Sequence, residues 1–62
     1  MKIGDLIYNK VHNQFGILIN SPDNIYFTYC WFHDNVEYTV HYMHIMEYWR
    51  EAQKLKHGNQ SR

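Results

Sequence analysis

The stretch Ile25-Tyr26-Phe27-Thr28-Tyr29-Cys30-Trp31-Phe32 decides how this chain is read. Side chains along a strand alternate between two faces, so one face carries Ile25, Phe27, Tyr29 and Trp31 and the other Tyr26, Thr28, Cys30 and Phe32. Both sets are largely apolar or aromatic. A chain of 62 residues makes one domain with one core, and such a core covers one face of a sheet. The second face needs a helix, a tail or another molecule. The stretch therefore points to a contact surface and not to a reaction.

Working outward, Leu6, Ile7, Tyr8 and Val11 predict a short strand from Asp5 to about Val11, introduced by Gly4. Asn13-Gln14 predicts a turn, because asparagine tolerates the left-handed region that a tight connection demands. Phe15 to Asn20 reads as a second strand, with Gly16 at a bulge or a close backbone approach. Ser21-Pro22-Asp23-Asn24 has proline at the second turn position and Asx residues after it. Beyond the aromatic strand, His33-Asp34-Asn35 is a polar break. Val36 to Tyr42 then alternates, with Val36, Tyr38, Val40 and Tyr42 on one face and Glu37, Thr39 and His41 on the other.

Past Met43 the period changes. Ile45, Tyr48 or Trp49, Ala52 and Leu55 recur at three- and four-residue spacing, opposite Glu47, Arg50, Glu51, Lys54 and Lys56, which predicts an amphipathic helix over about 46–57. Trp49 is its expected anchor. Cations in the last turn and Gly58 after it form a stop signal, and 58–62 is expected as a disordered tail. Residues 1–57 thus form a single domain, mainly β, in which four or five short antiparallel strands make a small bent sheet or barrel with a C-terminal α-helix. The helix either caps the open end of the barrel or covers the second apolar face.

Composition narrows the function classes. The formal net charge is zero, which argues against a protein that lives on phosphate backbones, since these depend on clustered Lys and Arg. Charge is uneven along the chain. Lys2 and Lys10 oppose Asp5, Asp23, Asp34 and Glu37 in the body, whereas Arg50, Lys54, Lys56 and Arg62 oppose Glu47 and Glu51 at the end. Cys30 is the single cysteine, so no intramolecular disulfide forms, and a reducing cytoplasmic setting is expected. No run approaches the ~18 apolar residues that span a bilayer, and Met1-Lys2-Ile3-Gly4-Asp5 has no apolar core behind a basic segment.

The segments Gly4-Asp5-Leu6-Ile7-Tyr8, Phe15-Gly16-Ile17-Leu18-Ile19 and Tyr29-Cys30-Trp31-Phe32 resemble those of small SH3-like barrel proteins, many of them encoded by tailed bacteriophages. In that group a Gly-Asp-apolar opening starts the first strand, a Gly-Ile-Val type segment forms the second, and an aromatic strand with tryptophan forms the third. The likeness covers about the first forty residues, and the helix lies outside it. The opening also resembles the KOW element of ribosomal and transcription-elongation proteins, without its basic residues and extra glycines. The resemblance implies an SH3-like antiparallel barrel and a non-enzymatic binding or assembly module: a phage accessory protein docking on a host protein, or part of a particle. The alternative it implies is a KOW-like module associated with nucleic acid, transcription or the ribosome.

Two histidine patterns invite a metal. Cys30-x-x-His33 and His41-x-x-His44 have zinc-ligand types and spacing, and they frame a second alternative, a small zinc-binding or thiol protein. Residues three apart on a strand face opposite ways, however, so each pair chelates only where its second member lies in a turn. No cofactor is expected. A catalytic role needs nucleophile, base and stabiliser gathered in a pocket, and a domain this small has little room for one. The aromatic set is the better lead. Tyr26, Phe32, Tyr42 and Tyr48 are the expected partner-binding residues, because aromatics with polar tips concentrate at protein interfaces. The expected partner is another protein or a second copy, with nucleic acid and membrane disfavoured.

Overall fold

The computed structural model describes residues 1–60, with side chains over residues 1–56. Its elements are β1 (Leu6–Asn9), β2 (Gln14–Asn20), β3 (Tyr26–Trp31), β4 (Glu37–His41) and α1 (Tyr42–Gln60). The four strands form one antiparallel meander in the order β1-β2-β3-β4. The fold is mainly β with a C-terminal helix, as the sequence predicts. The expected barrel does not close, because β1 and β4 end the sheet without pairing. A barrel shields its core by curving onto itself, whereas here α1 lies on one face and shields the core instead.

The three connections share one chemistry. Asn9, Asp23 and Asp34 each accept, through Oδ1, the backbone N–H two residues on: Val11 at 3.0 Å, Ile25 at 2.9 Å and Val36 at 3.0 Å. Each connection also holds one asparagine in the left-handed region, Asn13 at φ 53°, Asn24 at 61° and Asn35 at 56°. Asparagine visits this region at lower cost than other side chains. Val11, expected in β1, is 80% exposed in the first turn instead. The Asn9 carboxamide has already captured its N–H and ended the ladder.

Inside, the register stacks like with like. Ile7 pairs with Gly16, Gly16 with Trp31, Leu18 with Tyr29, Tyr29 with Tyr38 and Phe27 with Val40. These residues share the inner face, and Ile7, Leu18, Phe27, Tyr29 and Trp31 are buried there with Ile45 of the helix. Gly16 is a close approach and not a bulge: a Cβ there would lie 2.6 Å from the Cys30 carbonyl oxygen and 2.9 Å from Trp31 Cε3. The bulge falls later, between Leu18 and Asn20.

The helix is longer than the expected 46–57. It begins at Tyr42, whose N–H still bonds Ile25 O at 2.8 Å as the last rung beside β3. The next N–H, of Met43, donates to His41 Nδ1 at 3.2 Å, so a histidine caps the helix and strand passes to helix without a loop. At its other end α1 runs through Gly58 to Gln60, and glycine costs a helix roughly 1 kcal/mol against alanine without forbidding it. Of the expected tail, residues 61–62 lie outside the described residues.

Ile45 and Ala52 are buried beneath the helix, and Tyr48 and Trp49 are half-buried against the core. Leu55, expected on the same stripe, is exposed, because the helix has by then left the core. Trp49 does more than pack: its Nε1–H donates to Asp5 Oδ2 at 3.0 Å. The same oxygen accepts the Lys2 N–H at 2.9 Å, while the Asp5 carbonyl accepts the Leu18 N–H at 3.0 Å. Asp5 thus ties the N-terminal turn, β2 and the helix together.

Trp49→Ala should cost roughly 3 kcal/mol through lost packing and a lost hydrogen bond to a carboxylate. In a domain this small that lowers the melting temperature by more than ~10 °C. Trp49→Phe keeps most of the ring and should cost about 1 kcal/mol. A melt of Trp49→Ala indistinguishable from the parent would refute the anchoring role. Gly16→Ala should cost about 1–3 kcal/mol by overpacking against the Cys30 carbonyl, and calorimetry of that variant checks it.

The turns give a pH prediction. The Tyr26 and Ile25 N–H groups hold the Asp23 carboxyl below the usual carboxylate range. The Val36 N–H, and after it the Tyr38 hydroxyl and His33, do the same for Asp34. Both folded values lie below the unfolded ones, so their contribution is complete above about pH 4 and is lost as pH falls through the folded values. Denaturant midpoints should therefore decline below about pH 4. Asp34→Asn should flatten that acid limb, and superimposable profiles for parent and variant would count against it.

Candidate protein-binding face

Residues on the face opposite the helix follow from the same register. Leu6 pairs with Ile17, Ile17 with Cys30 and Cys30 with Glu37, which makes a row across all four strands. Beside it Tyr8 pairs with Phe15, and the Phe32 N–H donates to Phe15 O at 2.9 Å, extending the ladder by one rung and adding Phe32 to that row. The Tyr8 and Phe15 rings lie 4.6 Å apart, tilted by 32°. The Tyr8 hydroxyl donates to Asn13 Oδ1 at 2.9 Å, which ties this ring to the turn. Leu6, Phe15 and Phe32 are exposed, Phe32 by 58%.

Toward the other end of the strands the face becomes more polar. The Thr28 and Thr39 hydroxyls meet at 2.9 Å. Tyr26, 51% exposed, meets the edge of His41 at 5.5 Å between ring centres. His41 in turn stacks on Tyr42 at 4.6 Å. Glu37, at the margin, is the one formally charged residue among those of the face.

The structure thus distributes the four expected partner-binding residues unevenly. Phe32 lies with Tyr8 and Phe15 at the apolar end, while Tyr26 and Tyr42 meet through His41 at the polar end. Tyr48 lies apart from them, half-buried under the helix with its ring edge-on to Trp31 at 5.3 Å. The residues missed by sequence reasoning are Leu6, Tyr8, Phe15 and Ile17. Their signal was present, since Leu6 and Tyr8 share one strand parity and Phe15 and Ile17 another, each opposite to the buried Ile7 and Leu18.

Two open clefts flank the helix. One, of about 300 Å³, lies between the first turn and α1, with Lys10 Nζ 3.7 Å from Glu51 Oε2. Lys54, followed by Lys10, holds Glu51 below the usual carboxylate range. The other, of about 450 Å³, is lined by Tyr29, Val40, Met43, His44, Glu47 and Tyr48 between α1 and β4. Burial pushes the Tyr29 hydroxyl above its usual range, and the hydrogen bond to Asp34 does so for Tyr38.

Of the residues considered for metal or thiol chemistry, Cys30, His33 and His41 are held in local contacts, and His44 is exposed on α1 at the cleft beside β4. Cys30, half-buried on the outer face, directs its thiol to Trp31 O at 3.5 Å and Asn35 Oδ1 at 3.6 Å. His33 Nε2 lies 3.6 Å from Asp34 Oδ2, and His41 is the helix cap. Among the described residues, no three His, Cys, Asp or Glu side chains converge as a metal site. Nor is any helix among them long and apolar enough to cross a membrane.

No family model, no curated protein and no solved structure matches this chain.

Proposed function

We propose that this chain is a non-enzymatic protein-binding or assembly module that works through the sheet face opposite the helix. One observation carries the reading: α1 packs on the inner face, and the outer face leaves Leu6, Phe15 and Phe32 exposed with Tyr8, Ile17 and Cys30 half-buried between them. Exposed apolar patches of this kind mark interaction sites. Rigid aromatics on a hydrogen-bonded sheet supply contact area at low entropic cost, and the Tyr26–His41–Tyr42 cluster adds a polar rim. The resemblance of the first forty residues to SH3-like barrel proteins supports the same class of role, here with an open sheet and a helix in place of barrel closure. Docking on a host protein or on a neighbour within a particle would use this face.

A nucleic-acid role would use the same aromatics as stacking platforms. It would also require clustered cations beside them, and the four strands carry no Lys or Arg: Lys10, in the cleft beside Tyr8, lies 3.7 Å from the Glu51 carboxylate. The deciding experiment compares the parent chain with a Phe15→Ala, Phe32→Ala double variant, using capture of partners and oligonucleotide shifts at physiological salt. Both substitutions are on the exposed face, so the variant should keep a cooperative melt while losing ~1 to 4 kcal/mol of binding for each central residue. A parent chain that captures no protein and instead shifts oligonucleotides in a salt-dependent way would replace this reading with the KOW-like one.

A further inference from the structure

We infer that a second copy of this chain pairs with β4, edge to edge and antiparallel, about a two-fold axis at Thr39. β4 ends the sheet, and the direction of its free backbone groups follows from the register. The Tyr42 N–H bonds Ile25 O. Hydrogen-bonded and non-hydrogen-bonded pairs alternate along an antiparallel ladder, so Phe27–Val40 and Tyr29–Tyr38 are the bonded pairs between β3 and β4. The N–H and C=O groups of Glu37 and Thr39 and the N–H of His41 then point away from β3, toward the open edge, while the His41 C=O, at the helix cap, accepts the first intrahelical bond.

A two-fold axis at Thr39 brings these groups together. It sets Thr39 against its own copy, where the two residues exchange two hydrogen bonds, and Glu37 against His41 of the other copy, where the His41 N–H donates to the Glu37 C=O. The side chains match as well. Glu37 and His41 both belong to the outer face, so an acceptor carboxylate meets an imidazole whose Nδ1 is already occupied by the Met43 N–H. That contact leaves the proton on Nε2, free to donate to the carboxylate. The Thr28–Thr39 hydroxyl pair, 2.9 Å apart, continues into its symmetry mate. On the inner face Tyr38, stacked on Tyr29 at 5.5 Å, meets Val40 of the other copy.

On β4 only the Glu37 charge guards the edge. The strand has no proline, lysine or bulge, the other usual devices against edge pairing. The other edge, β1, has four residues and packs beneath the helix. A five-residue edge buries less than the roughly 1,200 Å² of a standard stable interface, so the dimer is weak and concentration-dependent. This pairing is independent of the apolar face, which it leaves open on both copies.

Sedimentation across a concentration series should show reversible dimers for the full chain and monomers for Thr39→Pro. That substitution removes an outward N–H, which edge strands tolerate. Should Thr39→Pro fail to fold, a cysteine test in a Cys30→Ser background decides. In a bonded antiparallel pair the Cα atoms lie ~5.5 Å apart, within disulfide reach. Thr39→Cys should therefore oxidise to a cross-linked dimer at least tenfold faster than Phe32→Cys. Equal cross-linking rates, a chain that stays monomeric at millimolar concentration, or dimers lost in Phe32→Ala but kept in a folded Thr39→Pro would each overturn the inference.

Discussion

The seating of α1 on the inner face is the constraint on which the rest of the structure depends. Ile45 and Ala52 supply the buried contact, and the Trp49 indole fixes its place through the Asp5 carboxylate. This bond joins residues far apart in the chain, and the groups at Asp5 also hold the N-terminal turn and β2. A sheet of four short strands has little stability without a covering layer. One helix can cover one side. Which side it covers therefore decides both where the core lies and which face is left for contact.

Much of this was legible in the sequence, for physical reasons that differ between elements. The turns could be read because Asn and Asp act locally: each captures an N–H two residues on or adopts the left-handed region, whatever the rest of the chain does. The two faces of the aromatic strand could be read because alternation is geometric. Phe27, Tyr29 and Trp31 are inside, and Tyr26 and Phe32 outside. The position of Gly16 could be narrowed to a bulge or a close approach, and only the Trp31 ring and Cys30 carbonyl beside it distinguish them.

What could not be read depended on contacts between distant segments. Barrel closure is a property of strand ends meeting, and no local signal distinguishes a closed sheet from an open one shielded by a helix. The role of Asp5 is of this kind, because its carboxylate joins Lys2, near in sequence, to Trp49, which is not. The end of the fourth strand is read one residue too late because Tyr42 keeps strand parity and its N–H still serves the ladder, although the backbone is already helical there. Tyr48 reads as an interfacial aromatic, but its contact with Trp31 follows from helix placement.

The open sheet leaves two unsatisfied demands of different kinds. The outer face exposes apolar area, which any apolar partner surface can cover at a cost set by shape. The β4 edge exposes directional backbone groups, which only another strand satisfies in full. Water meets the second demand well and the first poorly. Stronger binding is thus expected from the face, while the edge contributes register and symmetry. Because the two lie at right angles, occupying one does not block the other. A chain paired through β4 would present two copies of the apolar face on one continuous sheet, so a weak edge contact would raise the avidity of the face for any partner that repeats.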